Sequence, residues 1–215
     1  IKVVLEDLKE FERTGQMPKL MFVRIGNDHT SGLAAGKLSP LAAMADNDLA
    51  LGMLVEGVSK SRFWAKTAIF VLEDDAQNGP DHVDSHRSPA YVISPYTRRG
   101  IIDSTHYNTT SMLRTMELIL GLKPMTHFDA AATPMWNAFS TNADSRPYVA
   151  IRPKHPLDER NPGASSPQTA RMIQRSEEMD FSEADRIDDD EMNEILWRAI
   201  KKTDPPAPVR SYFGK

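Results

Sequence analysis

The spacing of apolar residues predicts four helices along the chain. Near the amino terminus, apolar side chains at positions 4, 5, 8 and 11 fall on one helical face, and Gly15 provides a stop signal. Ser39-Pro40 predicts the start of a long second helix, because Ser is a favoured cap and Pro a favoured first helical residue. The other two helices are predicted from Met112 to about Leu120, after an Asn-Thr-Thr-Ser cap, and over residues 188–202.

Between these helices, three short runs of apolar and β-branched residues predict buried strands. They occupy residues 20–25, 68–72 and 90–94, and Ile101-Ile102 predicts a further short strand. Strands that are apolar throughout are typical of sheets covered by helices on both faces. The alternation of strands and helices therefore predicts an α/β fold, a three-layer α/β/α sandwich with a mainly parallel sheet.

A change in composition after about residue 148 divides the chain into three predicted parts. Residues 1–150 form the α/β body, and residues 151–181, rich in Pro, Ser, Gln, Arg and Asn, form an extended linker or arm. Residues 182–215 form a C-terminal helix and tail that dock on the body. The chain opens without Met and enters its first helix at once, with no signal-peptide pattern. We therefore expect a partial domain that belongs to a longer polypeptide.

The composition argues against several classes of function. The 215 residues carry 26 basic and 30 acidic side chains without a basic block, which argues against binding to a nucleic-acid backbone. No apolar run approaches the roughly 20 residues that span a bilayer. The absence of cysteine excludes thiolate metal ligands, disulfides and cysteine nucleophiles.

The most informative segment begins where the predicted strand 68–72 ends. Glu73-Asp74-Asp75 follows this strand directly, and Asp81, His82 and His86 come soon afterwards. Functional residues of open α/β sheets lie just beyond the carboxyl ends of strands, and carboxylate and imidazole groups together bind divalent cations. This pattern predicts a metal site at a strand end. The alternative is a solvated turn or a helix N-terminus, where negative charge is also favourable.

A second polar group, Asn27-Asp28-His29-Thr30, follows the predicted strand 20–25. On neighbouring parallel strands, this group and the acidic segment would meet at one edge of the sheet. A His beside an Asp can bind a metal or protonate a leaving oxygen, and the alternative is an Asx turn with an idle His29. Asp46-Asn47-Asp48 interrupts the second helix with poor helix formers, which indicates that something polar lies against it. His106, His127 and His155 lack such a context, and we expect no catalytic role for them.

Three motifs are distinctive when they are taken together. They are Gly-Asn-Asp-His-Thr-Ser-Gly at 26–32, the run at 69–87 that holds the acidic segment, and Thr-Thr-Ser-Met-Leu-Arg-Thr-Met-Glu-Leu-Ile-Leu-Gly-Leu at 109–122. These motifs resemble bacterial phosphoesterases of the alkaline phosphatase superfamily, in particular the phospholipase C and acid phosphatase branch. The resemblance covers about residues 17–140 and corresponds to the carboxyl-terminal portion of that domain.

The resemblance implies hydrolysis of phosphoric esters through a Ser or Thr nucleophile that is coordinated to divalent metal. Asp74 and Asp75 match metal ligands, and His29 matches a residue that holds the phosphate or a second metal. His82 or His86 would supply a further metal ligand or the general acid for the leaving oxygen. Carboxylate and imidazole ligands suit zinc, manganese and calcium to different degrees, so the identity of the metal stays open.

The chain also departs from the family that it resembles. No Ser or Thr matches the nucleophile, which the family places upstream of the segment 26–32, and Ile25 occupies a position where two-metal members have Asp. The resemblance therefore implies that an upstream part of the same polypeptide supplies the nucleophile, and some relatives carry a β-propeller ahead of this domain. Relatives are mostly exported, which implies a secreted or periplasmic location. Two alternatives remain: a catalytically inactive binding or surface module on the same scaffold, and a metal-dependent phosphomutase or phosphotransferase.

Overall fold

The computed structural model describes residues 1–27, 30–73, 88–182 and 186–205. These residues contain six α-helices and two β-strands, together with short 3₁₀ turns at Trp64–Lys66 and Trp136–Ala138. The helices are α1 (Lys2–Thr14), α2 (Pro40–Ser59), α3 (Thr109–Leu120), α4 (His127–Ala131), α5 (Pro167–Glu178) and α6 (Asp189–Lys201). The strands are β1 (Ile69–Leu72) and β2 (Ala90–Ile93). Among the described helices, none combines the length and the apolar character that crossing a membrane requires.

The helix ends follow the signals in the sequence. Gly15 ends α1 with a φ of 73°, and Gly121 ends α3 with a φ of 71°, a left-handed conformation that glycine adopts without a Cβ clash. Asn108 caps α3, because its side chain accepts a hydrogen bond from the Ser111 N–H at 2.9 Å. The predictions of the first three helices are therefore confirmed, although α3 begins three residues before Met112.

The two strands pair antiparallel, with Ile69 opposite Ile93 and Leu72 opposite Ala90. The mixture of helix and strand agrees with the predicted α/β class. The described residues do not show the predicted mainly parallel sheet or three-layer sandwich, since their sheet has these two antiparallel strands. The reason for the difference is that an apolar run indicates burial and says little about the direction in which a strand pairs.

The prediction of a strand at residues 20–25 is wrong, because this segment forms neither a strand nor a helix. Phe22 is 85 % exposed, and Leu20 and Val23 are exposed as well. Ile101-Ile102 does not form a strand either. Apolar composition favours burial, but a strand also needs a neighbouring backbone to satisfy its N–H and carbonyl groups, and no described strand pairs with either segment.

The described residues divide into two compact units. Unit 1 consists of residues 1–24, 51–73 and 88–150, and unit 2 consists of residues 25–27, 30–50, 151–182 and 186–205. The core of unit 1 forms around Trp64, against which Leu8 of α1 and Leu54 and Val58 of α2 pack. The ring of Trp64 also meets the ring of Tyr148 edge to face, with centroids 6.1 Å apart.

Unit 2 is built on α5 and α6, which are in contact. Met192 and Ile195 of α6 are fully buried, and the predicted C-terminal helix over residues 188–202 is confirmed. Helix α5, in contrast, lies inside residues 151–181, for which the sequence predicts an extended arm. Its start at Ser166-Pro167 carries the same Ser-Pro signal that predicts α2.

Replacing Gly57 with Val should destabilise unit 1 by about 1–3 kcal/mol. A Cβ at Gly57 would lie 2.9 Å from Leu5 Cδ2 and 3.3 Å from Leu8 Cδ2, so α1 would have to shift away from α2. Gly52→Ala is the matched control, because a Cβ there meets Ala150 Cβ at an ordinary 3.5 Å. The control should stabilise the chain by about 0.5–1 kcal/mol through helix propensity. Urea unfolding measures both variants, and equal effects would contradict this packing.

Candidate functional site

The side chains predicted to form the site lie outside the described residues. His29 falls in the gap at 28–29, and Asp74, Asp75, His82 and His86 fall within residues 74–87. Within the part of the chain that the structure describes, no three His, Asp or Glu side chains come together as metal ligands. The structure does describe the residues on either side of both segments.

In unit 1, the described residues just before and just after the acidic segment 74–87 pair with each other. Leu72, the last residue of β1, pairs with Ala90, the first residue of β2. The Glu73 N–H donates to the Pro89 carbonyl at 3.3 Å and extends the ladder by one step. The chain therefore leaves β1 and re-enters β2 at neighbouring points, which fixes the carboxyl end of β1 in place.

In unit 2, the residues before position 28 are tied to the middle of α2. Asn27 has a left-handed φ of 65°, and its Nδ2 donates to Asp46 Oδ2 at 2.6 Å. Asn47 Nδ2 donates to the Gly26 carbonyl at 3.0 Å. The polar interruption in the sequence of α2 therefore has a structural reason, because two of its side chains hold the segment that leads to the predicted site.

The segment after position 29 turns sharply against α5. Thr30 has a left-handed φ of 57°, and its Oγ1 accepts a hydrogen bond from the Gly32 N–H at 3.1 Å. Gly32 has a φ of 53°, and a Cβ there would lie 2.6 Å from Ser176 Oγ. The same Ser176 hydroxyl accepts from the Leu33 N–H at 3.0 Å. Only glycine fits at position 32, because the turn needs both the left-handed φ and the close approach of α5.

Asn161 holds the next stretch of this segment. Its side chain Nδ2 donates to the carbonyls of Gly32 and Ala34, each at 3.0 Å. Its backbone carbonyl accepts from the Gly36 N–H at 3.2 Å, and its backbone N–H donates to the Lys37 carbonyl at 2.8 Å. Asn161 is 5 % exposed, so these bonds form away from water. One residue thus satisfies backbone groups along the whole of residues 32–37.

Glu159 supports the start of α2. Its Oε2 accepts from the Ser39 hydroxyl at 2.5 Å and lies 2.7 Å from His155 Nε2. Ser39 Oγ in turn caps α2 by accepting from the Ala42 N–H at 3.1 Å. The Ser39 hydroxyl and, to a lesser degree, His155 hold the pKa of Glu159 below its usual value. Ser39 and His155 both bond to Glu159, so the carboxylate is the central member of this group. A catalytic triad differs, because its central member is the His.

A cleft of about 520 Å³ lies in unit 2 beside the same segment. Leu33 forms part of its wall, and the remainder comes from α5, the carboxyl end of α6 and the residues just before α5 and just after α6. Its other lining side chains include apolar Met172 and Ile173 and charged Arg198 and Lys202. A cleft of this size and mixed character is large enough for a small organic molecule.

The sequence alone does not predict the roles of Asn161 and Ser176, which hold the turn that begins at Gly32, or of Glu159, which supports the start of α2. The sequence places all three in the predicted arm at 151–181. The Ser166-Pro167 cap signal could have revealed α5 and with it the position of Ser176. No local pattern pairs Asn161 with Gly32, because the two residues are 129 positions apart.

Comparison with protein families gives a match to the Phosphoesterase family over residues 4–123. This range contains both segments that hold the predicted site residues, and it ends just after α3. A comparison with curated proteins finds no match. Glu159, Asn161 and Ser176 lie beyond the matched range, so residues outside it hold a segment within it.

Replacing Asn161 with Ala should lower the stability of unit 2 by about 2–3 kcal/mol, because two buried carbonyls lose their donor. Guanidinium unfolding measures this loss, and hydrogen exchange should show faster exchange of the amides of residues 32–37. Asn142→Ala at an exposed position is the matched control and should change stability by less than about 0.5 kcal/mol. Unchanged exchange at residues 32–37 in Asn161→Ala would contradict the role of this side chain.

Replacing Glu159 with Gln should flatten the acid dependence of stability. Because the folded-state pKa of Glu159 is lowered, its contribution is fully present above the unfolded pKa and is lost as the pH falls through the folded value. The unchanged protein should therefore lose more stability between about pH 6 and pH 3 than Glu159→Gln loses. Denaturant unfolding across this range checks the difference, with exposed Asp158→Asn as the control. Identical pH profiles for Glu159→Gln and the unchanged protein would refute it.

Proposed function

The chain belongs to the Phosphoesterase family, and on this basis we propose that it hydrolyses phosphoric esters with the help of a bound divalent metal ion. Family membership implies phosphate-ester substrates. The observation that carries the proposal is that the matched range, residues 4–123, contains Asp28-His29 and the whole acidic segment 74–87. Each is a group of carboxylate and imidazole side chains of the kind that phosphoryl chemistry uses.

The donor set fits a divalent cation. Asp74, Asp75 and His86 offer two carboxylates and an imidazole, which are ligands for zinc, manganese or calcium. Glu73 and Pro89, the described residues beside this segment, are joined by a hydrogen bond next to the strand pair, which supports a fixed place for the two chain ends that lead to the donor set. When bound, such an ion would neutralise charge on the phosphoryl oxygens and lower the pKa of the nucleophile.

The histidine side chains would act on the substrate. In the proposal, His29 binds the phosphate oxygens, and either His82 or His86 donates a proton to the leaving oxygen. Asn27 and Thr30, on either side of positions 28–29, have left-handed conformations, and their side chains bond to Asp46 and to the Gly32 N–H. Fixed neighbouring residues support catalysis, because small displacements of a reacting group reduce the rate strongly.

The proposal extends to a longer polypeptide. No Ser or Thr of this chain matches the nucleophile of the alkaline phosphatase superfamily, so we assign the nucleophile to an upstream segment of the same polypeptide. In the complete domain, the β1–β2 pair would join a three-layer α/β/α sandwich. Export to the periplasm or outside the cell fits the same superfamily.

Metal binding gives a direct test on this chain. Zinc or manganese at about 100 times its dissociation constant should stabilise the protein by about 2.7 kcal/mol, which raises the melting temperature by about 5–10 °C. Asp74→Asn or Asp75→Asn should weaken binding by about 100-fold or more, since even supporting residues of metal sites contribute 10- to 100-fold. Asp7→Asn on the exposed side of α1 is the matched control. Equal metal affinity in all three variants would contradict the assignment of Asp74 and Asp75 as metal ligands.

Activity in the longer polypeptide separates the proposal from its alternatives. The natural full-length protein should hydrolyse p-nitrophenyl phosphate with release of inorganic phosphate, and Asp74→Asn should abolish turnover. Metal binding without turnover would favour an inactive binding module. Transfer of the phosphoryl group to an added sugar in preference to water would favour a phosphotransferase or mutase.

A further inference from the structure

Three neighbouring elements of unit 1 expose large apolar side chains. Phe128 of α4 is 79 % exposed, and Trp136 in the second 3₁₀ turn is 63 % exposed. Ile119, Leu122 and Met125, in and after α3, are also exposed. We call these five residues the apolar edge. Single exposed apolar residues are common, whereas five from adjacent elements indicate an interaction surface.

The elements that carry the apolar edge are joined to one another. Helices α3 and α4 are in contact. Asp129 of α4 accepts a hydrogen bond from the Met125 N–H at 2.7 Å, so the segment between the helices is fixed to α4. The Met135 N–H donates to Thr115 Oγ1 at 2.9 Å, which ties the turn that contains Trp136 to α3. The five side chains therefore belong to one local structure within unit 1.

The acidic groups of this region are withdrawn from the surface. Residues 109–139, all of which the structure describes, contain two acids, Glu117 and Asp129, which are 3 % and 1 % exposed. Glu117 pairs with Arg114 at 3.1 Å. The Thr126 hydroxyl donates to Asp129 and holds the pKa of this carboxyl well below its usual range.

Two exposed basic side chains, Lys123 and Arg98, lie near the apolar edge, and exposed Asp103 lies close enough to Arg98 to offset part of its charge. Lys123 is exposed in the loop between α3 and α4. Arg98 lies beside the second 3₁₀ turn, because its N–H donates to the Ala138 carbonyl at 2.8 Å. The nearby loop contains one acid, Asp103, which accepts hydrogen bonds from Thr105 and Tyr107 and is also attracted by Arg98. The edge thus combines exposed aromatic and aliphatic groups with basic side chains.

We propose that the apolar edge docks on an anionic lipid surface. Trp and Phe favour the boundary between headgroups and acyl chains, and an adjacent Lys extends its amine to anionic headgroups. Self-association through the same edge is less favourable, because two-fold symmetry would bring identical basic groups towards each other. The docking goes beyond the proposed hydrolysis and does not depend on it.

Sedimentation with lipid vesicles tests this docking on the 215-residue chain. The protein should bind vesicles that contain phosphatidylserine, bind phosphatidylcholine vesicles weakly, and dissociate as salt increases. Phe128→Ser combined with Trp136→Ser should reduce partitioning by about tenfold or more. Lys123→Gln should reduce it by about fivefold on anionic vesicles only. Phe22→Ser, which changes an exposed aromatic residue outside the edge, is the matched control and should bind normally.

Quenching by brominated lipid supplies a second readout. Fluorescence of the unchanged protein should fall on brominated vesicles, and most of this quenching should disappear in Trp136→Phe, because Trp64 is buried and Trp197 of α6 lies outside the apolar edge. Absence of vesicle binding, or equal losses for the edge variants and Phe22→Ser, would overturn the proposal. A dimer that depends on Phe128 and Trp136 would instead assign the edge to a second copy. Binding that vanishes in a longer natural form would assign the edge to another part of that polypeptide.

Discussion

Unit 2 depends on the carboxamide of Asn161. The turn after position 29 has left-handed backbone at Thr30 and Gly32, so its carbonyls cannot join a helix or a sheet. Asn161 supplies donors to the carbonyls of Gly32 and Ala34. Because a buried carbonyl without a donor costs about 1–3 kcal/mol, the turn and its partner form one cooperative piece. The conformation of a segment that the family match covers is therefore set by a residue that the match does not cover.

The residues that flank the two candidate segments are held by different means. The residues on either side of positions 74–87 belong to paired strands, where regular backbone hydrogen bonds hold them. The residues on either side of positions 28–29 are held by side chains, those of Asp46 and Asn47 before the gap and those of Asn161 and Ser176 after it. Both means restrict the backbone next to groups that phosphoryl transfer would need to hold in fixed positions.

Local signals in the sequence were enough to predict most of the helices. Gly15, Ser39 and Asn108 act through their own backbone or side chain within one helical turn, so a short window contains their whole effect. The prediction of a strand at residues 20–25 is wrong because apolar residues do not specify which backbone segment a strand pairs with. The contacts of Glu159 and Asn161 cannot be predicted from local sequence either, because more than a hundred positions separate these residues from Ser39 and Gly32. The composition at 46–48 predicted a polar contact for α2, and the structure identifies Gly26 and Asn27 as its partners.

We propose that this chain contributes the carboxylate and imidazole ligands of a divalent metal site in a phosphoesterase. Anomalous diffraction from crystals grown with manganese tests this claim most directly, because it locates the ion without reference to activity. We expect an anomalous peak from a manganese ion that is coordinated by Asp74 and Asp75, with His86 as a further ligand. A peak held by other side chains, or crystals saturated with manganese that show no peak at this segment, would contradict it.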